Sequence, residues 1–244
     1  MSASFVLVQR LVAGIRIEFP VGSGSFDKDL FLAVNTAVMA IDQFAMMPAQ
    51  TFNMTSSTFA GQNIGAGKLD RVSQGFRIIL TTAVSLAVVV MVVIFFKGET
   101  LMRLFITHDP SITDPVLLQI AIDRADRIVE VGVHMQRIII WCYLMMAVAN
   151  TVGGVMRGAG DTMAQLWIMI STNIVIRLPL TWIWIELTKT EAVTGGQPGG
   201  DPAVLFYSMI VAFGLNVIVS CIYFATGRWK TKSLISRKSE SMLD

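Results

Sequence analysis

Residues 78–96 read IILTTAVSLAVVVMVVIFF, without one charged side chain. About 19 helical residues at about 1.5 Å each cross a hydrocarbon core of about 30 Å, so this stretch is expected to span a bilayer. Lipid offers the backbone no hydrogen bonds, and a single spanning segment satisfies its own only as a helix. The same reasoning covers Ile138–Met156 and Ala203–Thr226. Gln165–Leu187 is nearly as apolar but holds Arg177, and Leu30–Ala60 is interrupted by Asp42 and Pro48. Both are expected to span with their polar groups turned toward protein. An all-α integral membrane protein of about five spans follows, over residues 31–60, 76–96, 137–157, 164–187 and 203–226.

Composition agrees. Hydrophobic residues make up 54% of the chain, charged residues only 15%, and the mean hydropathy is +0.64, whereas soluble domains run near a quarter charged. The net charge of +2 is small and its basic residues are dispersed, so no nucleic-acid partner is expected. Cys142 and Cys221 lie inside apolar runs without Cys-x-x-Cys spacing, and His108 and His134 have no neighbours at ligand spacing. Neither a disulfide framework nor a metal site is expected. No Ser/His/Asp or paired-carboxylate arrangement suggests an enzyme. The start of the chain lacks the pattern of a signal peptide.

Residues outside the spans set the expected topology. Arg228, Lys230, Lys232, Arg237 and Lys238 follow the last apolar run, which places a basic tail, residues 229–244, in the cytoplasm of a cell inner membrane. Arg157 and the loop with Lys68, Arg71 and Arg77 then fall on the same side. Val116–Val131 repeats apolar positions at helical spacing among Asp123, Arg124, Asp126 and Arg127, and reads as an amphipathic helix at the outer interface. Residues 1–30 are broken by charges and read as an atypical segment with a short helix, while Thr188–Gly200 reads as a loop. Asp161 with Thr162 and Gln165 suggests an N-cap, as does Asp201-Pro202, and Gly227 suggests a C-cap. Trp229 has the amphipathic character favoured at a membrane–water interface.

The segment Ala45–Arg77, AMMPAQTFNMTSSTFAGQNIGAGKLDRVSQGFR, joins a polar-studded helix to a glycine turn. Gly61, Gly65 and Gly67 allow positive φ and close helix approach. The spacing is not that of a phosphate-binding glycine loop. Within the helix, Asp42, Gln50, Asn53 and Ser57 fall in a sector of roughly 80° at about 100° per residue. An intramembrane carboxylate costs at least roughly 2.5 kcal/mol on insertion scales, which favours either a functional partner or a polar helix contact for Asp42. Pro48 frees a backbone carbonyl and can kink the helix. Arg177, with Asn173 one turn earlier, reads as a helix-locking or snorkelling cation, or as a substrate contact, beside the helix-weakening Pro179. Met39, Met46, Met47 and Met54 read as apolar filling or as an adaptable binding surface.

AGQNIGAGKLDRVSQG after a kinked helix resembles the turn that follows the eighth helix of MATE (multidrug and toxic compound extrusion) transporters. VMRGAGDTMAQ resembles that family's signature between its tenth and eleventh helices, and IRLPLTWIW and TGRWKTK resemble the stretches after it. The motifs that carry over are Gly61, Gln62, Asn63, Gly65 and Gly67, then Arg157, Gly158, Gly160 and Asp161. The resemblance implies the carboxy-terminal lobe of a two-lobe antiporter that exports organic cations or amphipathic drugs in exchange for sodium or protons, by alternating access. Residues 31–228 would be that lobe, with the bilayer, an organic cation and a missing amino-terminal lobe or second copy as partners. No cofactor is implied beyond the coupling ion. Ile138–Met156 lacks the carboxylate that some relatives carry, which leaves Asp42 as the candidate for coupling. An exporter of lipid-linked cargo and a non-transporting scaffold are the alternatives.

Overall fold

The computed structural model describes residues 16–17, 28–106, 114–188, 199–200 and 203–229. The expected short amino-terminal helix, the Asp201-Pro202 cap, His108, most of the 188–200 loop and the tail beyond Trp229 lie outside them. Described residues are almost entirely helical: α1 Lys28–Gly65, α2 Leu69–Phe105, α3 Pro115–Gly158, α4 Thr162–Ile170, a π-turn Ser171–Ile176, α5 Arg177–Thr188 and α6 Ala203–Ala225. A parallel pairing of β1 Arg16–Ile17 with β2 Gly199–Gly200 is the one departure.

Among the described residues, four helices are long and apolar enough to cross a membrane: Leu69–Phe105, Pro115–Gly158, Thr162–Trp184 and Tyr207–Ala225. The remaining helix, α1, has 38 residues and is long enough, but its polar stripe makes it less apolar. The multi-pass all-α reading therefore stands. The amphipathic stretch Val116–Val131 is helical as its spacing implies, yet it is no separate element. It forms the first turns of α3, which runs 44 residues without a break, because nothing between Val131 and Ile138 interrupts helical geometry. The apolar run 78–96 likewise sits inside a 37-residue helix that continues beyond it at both ends.

Contacts group the chain into two units. The first comprises Met1–Ala45, Val92–Trp141 and Leu178–Met209, and the second Met46–Met91, Cys142–Arg177 and Ile210–Asp244. In the first, Val34, Val38 and Ile41 of α1, Ile94 and Met102 of α2, and Ile128, Val131, Met135 and Ile139 of α3 are buried. Gly132 marks their meeting, since a Cβ there would lie against Met102 and Val38. In the second, Ala60, Val72, Val155, Ala159 and Trp229 form one apolar cluster, and Val152, Met156 and Ile168 another, with Phe76 and Phe224 packed against both. Trp229 is thus 1% exposed, packed against protein. It stacks on Phe224 at 5.3 Å and donates from Nε1 to the Phe224 carbonyl at 3.2 Å.

α1 and α3 end in the same way. Each closes on a Gly-Ala-Gly triplet followed by a charged residue, Lys68 or Asp161. Lys68 N–H donates to Asn63 O at 2.8 Å and Gly67 N–H to Ile64 O at 2.9 Å; Asp161 N–H donates to Met156 O and Gly160 N–H to Arg157 O, both at 2.9 Å. This is the six-to-one and five-to-two pattern of a Schellman turn, which requires a left-handed residue. Gly67 and Gly160 supply it, with φ of 73° and 83°. Gly227 after α6, at φ 67°, plays the C-cap part expected of it.

Pro179 accounts for the π-turn. Its ring has no N–H for the carbonyl four residues back and would clash with it, and widening Ser171–Ile176 relieves the helix just upstream.

A test of the turn geometry follows. Gly160→Ala meets no atom within 4 Å but keeps a left-handed φ, so it should destabilise by about 1 kcal/mol through the backbone alone. Gly65→Ala, also in open space but without positive φ, should be neutral. Unfolding midpoints in detergent distinguish the two.

Candidate functional site

Within the second unit, α1 and α3 approach backbone to backbone. A Cβ on Gly154 would stand 2.4 Å from Asn53 O and 2.7 Å from Ser56 Cβ. On Gly158 it would stand 2.3 Å from Ser57 O, 2.8 Å from Ala60 Cβ and 2.9 Å from Gly61 N. Gly154 and Gly158 are four apart, the small-xxx-small spacing by which membrane helices pack closely. They meet Asn53, Ser57 and Gly61, themselves spaced by four along α1. Gly158 and Gly61 therefore act in packing, beyond the turn-forming part expected from the motifs. The Gly154–Gly158 spacing is visible in the sequence, but Gly158 also opens the Gly-Ala-Gly triplet, which signals a turn.

Polar side chains ring this crossing. Asn53, 6% exposed, donates from Nδ2 to Asn150 O at 2.9 Å. Its Oδ1 accepts from Arg157 Nη2 in a short hydrogen bond. Arg157 thus reaches back from the end of α3 to α1, a pairing the sequence did not suggest. Ser56 Oγ, Asn150 Nδ2 and Gln165 Oε1 are buried without a hydrogen-bond partner among the described residues. Gln165 lies against Gly153, where a Cβ would come within 2.6 Å of its amide. Such groups are costly in a dry interior, by about 1–3 kcal/mol each.

The polar stripe expected on α1 divides. Asn53 and Ser57 face α3, whereas Gln50 is exposed. Asp42 is half-buried and belongs to the first unit. Pro48 is half-buried within α1. Gln62 and Asn63 serve the turn, their carbonyls accepting from Ala66 and Lys68, while Asn63 Nδ2 donates to Phe59 O at 2.8 Å. Asp161 takes the N-cap position of α4 but makes no side-chain cap bond. Its carboxylate, 1% exposed, instead accepts a short hydrogen bond from the Tyr223 hydroxyl, tying the turn after α3 to α6. Asn173 donates to Met169 O at 3.2 Å and to Thr172 Oγ1 at 3.3 Å. Thr172 Oγ1 also accepts from Asn216 of α6 at 3.0 Å. Arg177 is buried, 2% exposed, so it does not snorkel.

A second face of α1 is uncovered. Met47, Gln50, Thr51, Met54, Thr55, Thr58 and Gln62 are exposed, at spacings of three and four that put them on one side of the helix. The Thr51 and Thr55 hydroxyls are satisfied by the carbonyls of Met47 and Thr51. Glutamines, threonines and flexible methionines together make a surface unlike the Val- and Phe-rich outside of α2. Among the described residues, no group of His, Cys, Asp and Glu is placed to hold a metal ion.

Comparison with known proteins gives one family. The MatE model matches residues 23–183. "Probable multidrug resistance protein YoeA" of Bacillus subtilis is 22% identical over 197 residues, 81% of this chain and 36% of that protein. "Probable multidrug resistance protein NorM" of Thermotoga maritima is 22% identical over 81% of this chain and 37% of its own length. "Probable multidrug resistance protein YpnP" of Bacillus subtilis is 26% identical over 83% and 39%. The chain spans little more than a third of the length of these relatives. No solved structure matches it.

The crossing predicts a ranked loss of stability. Gly158→Val drives a branched side chain into α1 backbone and should cost about 1–3 kcal/mol or more. Asn53→Leu, which leaves Arg157 and the Asn150 carbonyl without their partner, should cost about 1–3 kcal/mol. Thr55→Leu on the uncovered face should cost little. Denaturant unfolding of the three variants in one detergent ranks them.

Proposed function

Because the chain belongs to the MatE family, we propose that it is the carboxy-terminal lobe of a secondary antiporter that exports organic cations or drugs in exchange for sodium or protons. The observation that carries this reading is the uncovered face of α1. Lipid tails offer no partner to the Gln50 amide, so a membrane helix with this face borders protein or a water-filled path. Met47 and Met54 on the same face, 55% and 72% exposed, are soft, adaptable contacts suited to varied apolar cargo. The names of the relatives, each a "probable multidrug resistance protein", agree with such cargo.

A lobe of this kind works with a second one, either an amino-terminal lobe or another copy. Alternating access asks helices to change partners. The unpaired polar atoms beside the α1–α3 crossing lower the cost of doing so, because movement can satisfy groups that are unsatisfied at rest. Asp42, on α1 of the first unit, is the carboxylate proposed to couple cation entry to that movement. The carboxy terminus is proposed to face the cytoplasm of the cell membrane.

Transport of a fluorescent organic cation such as ethidium tests the proposal, in energised vesicles carrying this chain together with the amino-terminal lobe of a relative. Export driven by a sodium or proton gradient is expected, with Gln50→Leu slowed and Asp42→Asn uncoupled from the gradient. No export with the partner lobe present would make the chain a packing scaffold, and gradient-driven export unchanged in Asp42→Asn would remove that residue from coupling.

A further inference from the structure

The first unit holds a cavity of about 400 Å³ between the last turns of α2 and the middle of α3, lined by Glu99, Arg103, Asp126, Glu130, His134 and Arg137 over a floor of valines. Two independent runs of sequence fix its depth. On α2 the uncharged stretch ends at Phe96, and Glu99 and Arg103 lie roughly 4 and 10 Å beyond it at about 1.5 Å per residue. On α3 the uncharged stretch begins at Ile138, so Arg137 stands at its edge, with His134 and Glu130 roughly 4 and 10 Å further out. A hydrocarbon core of about 30 Å is flanked by headgroup layers that bring the bilayer to about 40–45 Å, so the inner end of the cavity, at Arg137, His134 and Glu99, falls in one such layer and its outer end, at Glu130, Arg103 and Asp126, opens beyond it. The two edges touch: the Arg137 guanidinium lies 5.7 Å from the centre of the Phe95 ring.

The charges in the cavity are not equivalent. Arg103 is engaged by Asp126 at 2.8 Å and by Glu99 at 3.2 Å, and these carboxylates hold its pKa above the ordinary value, Asp126 contributing most. Among the described residues, Arg137, His134 and Glu130 form no ion pair. They occupy one face of α3 at intervals of three and four. A guanidinium and an imidazole at the inner end, and a carboxylate about 10 Å along the helix from the guanidinium, present a cation and an anion in series.

We propose that this cavity is a binding site for the headgroup of a zwitterionic phospholipid bearing a primary ammonium, of the phosphatidylethanolamine class. The phosphate pairs with Arg137, assisted by His134, and the ammonium with Glu130. Charge selects this ligand. The acids of the Arg103 triad outnumber its base by one, which disfavours a purely anionic headgroup, while a simple organic cation would leave Arg137 without a counter-charge. Hydrogen bonding selects further. Glu130 accepts from an ammonium N–H, which a choline headgroup lacks, and the aromatic face that would attract choline, Phe95, is already taken by Arg137. The acyl chains would run beside Phe96, Val93 and Val92, which are 75%, 48% and 47% exposed. The site does not depend on whether the chain transports anything.

Native mass spectrometry of the full chain in detergent tests this, after delipidation and titration with dioleoyl phosphatidylethanolamine, phosphatidylcholine or phosphatidylglycerol. One tightly retained phosphatidylethanolamine is expected, favoured over the other two by about fivefold or more. Arg137→Ala and Glu130→Gln should each lower its occupancy by a similar factor, and Arg137→Lys should restore it, with helical circular dichroism showing that each variant is folded. Soluble glycerophosphoethanolamine should displace the lipid. Equal retention of all three lipids, unchanged occupancy in Glu130→Gln, or no displacement would overturn the site as annular lipid only. Displacement of phosphatidylethanolamine by ethidium but not by glycerophosphoethanolamine would overturn it in favour of a cargo cation.

Discussion

The crossing of α1 over α3 at Gly154 and Gly158 constrains most of the second unit. Helices gain little from hydrophobic burial in lipid, because tails are as apolar as leucine, so close backbone packing and polar contacts hold them together. Here the approach is close enough that any side chain at either glycine would occupy the space of α1 carbonyls. That proximity brings Asn53 within reach of Asn150 and Arg157. It also accounts for the small residues facing it, Ser56, Ser57, Ala60 and Gly61. A larger residue at any of these would hold the two backbones apart and break the polar contacts with them.

The two Gly-Ala-Gly turns lie next to this crossing and share one geometry, but their first glycines differ in purpose. Gly65 faces open space, whereas Gly158 is wedged against α1. Repetition of a motif thus marks a shared turn, and only the surroundings tell which glycine also packs. The second turn is fixed further by Asp161, whose carboxylate is taken by Tyr223, and by Trp229 stacked on Phe224. The end of α6 is thereby tied to the α3–α4 junction in the same unit.

Much of this architecture was legible in the sequence because lipid imposes a length and forbids unpaired backbone. The charge-free runs at 78–96 and 138–156 fall within helices, and 203–226 overruns α6 by one residue. Helix ends beyond those runs were not legible. Hydropathy reports where a segment enters lipid, and α2 and α3 continue as helix well into charged sequence, so Val116–Val131 looks separate in the sequence although it belongs to one helix. Asp161 holds the expected N-cap position, but local spacing cannot reveal that its carboxylate goes to Tyr223, 62 residues away, and not to a cap bond. The packing of Trp229 on Phe224 is indicated in the sequence only by the turn at Gly227. Of the α1 polar stripe, Asn53 and Ser57 share one angular sector. Angular position could not show that this face meets α3, or that a second, uncovered face exists beside it.

The most direct test of the crossing is chemical cross-linking of Asn53→Cys with Asn150→Cys in a chain whose Cys142 and Cys221 are replaced by alanine. The native side chains at these positions lie within hydrogen-bonding range of each other, so a short bifunctional thiol reagent should bridge them within one chain in membranes. A Thr55→Cys partner, on the uncovered face, should not be bridged to position 150. Equal bridging of both pairs, or of neither, would contradict the close α1–α3 approach on which this account rests.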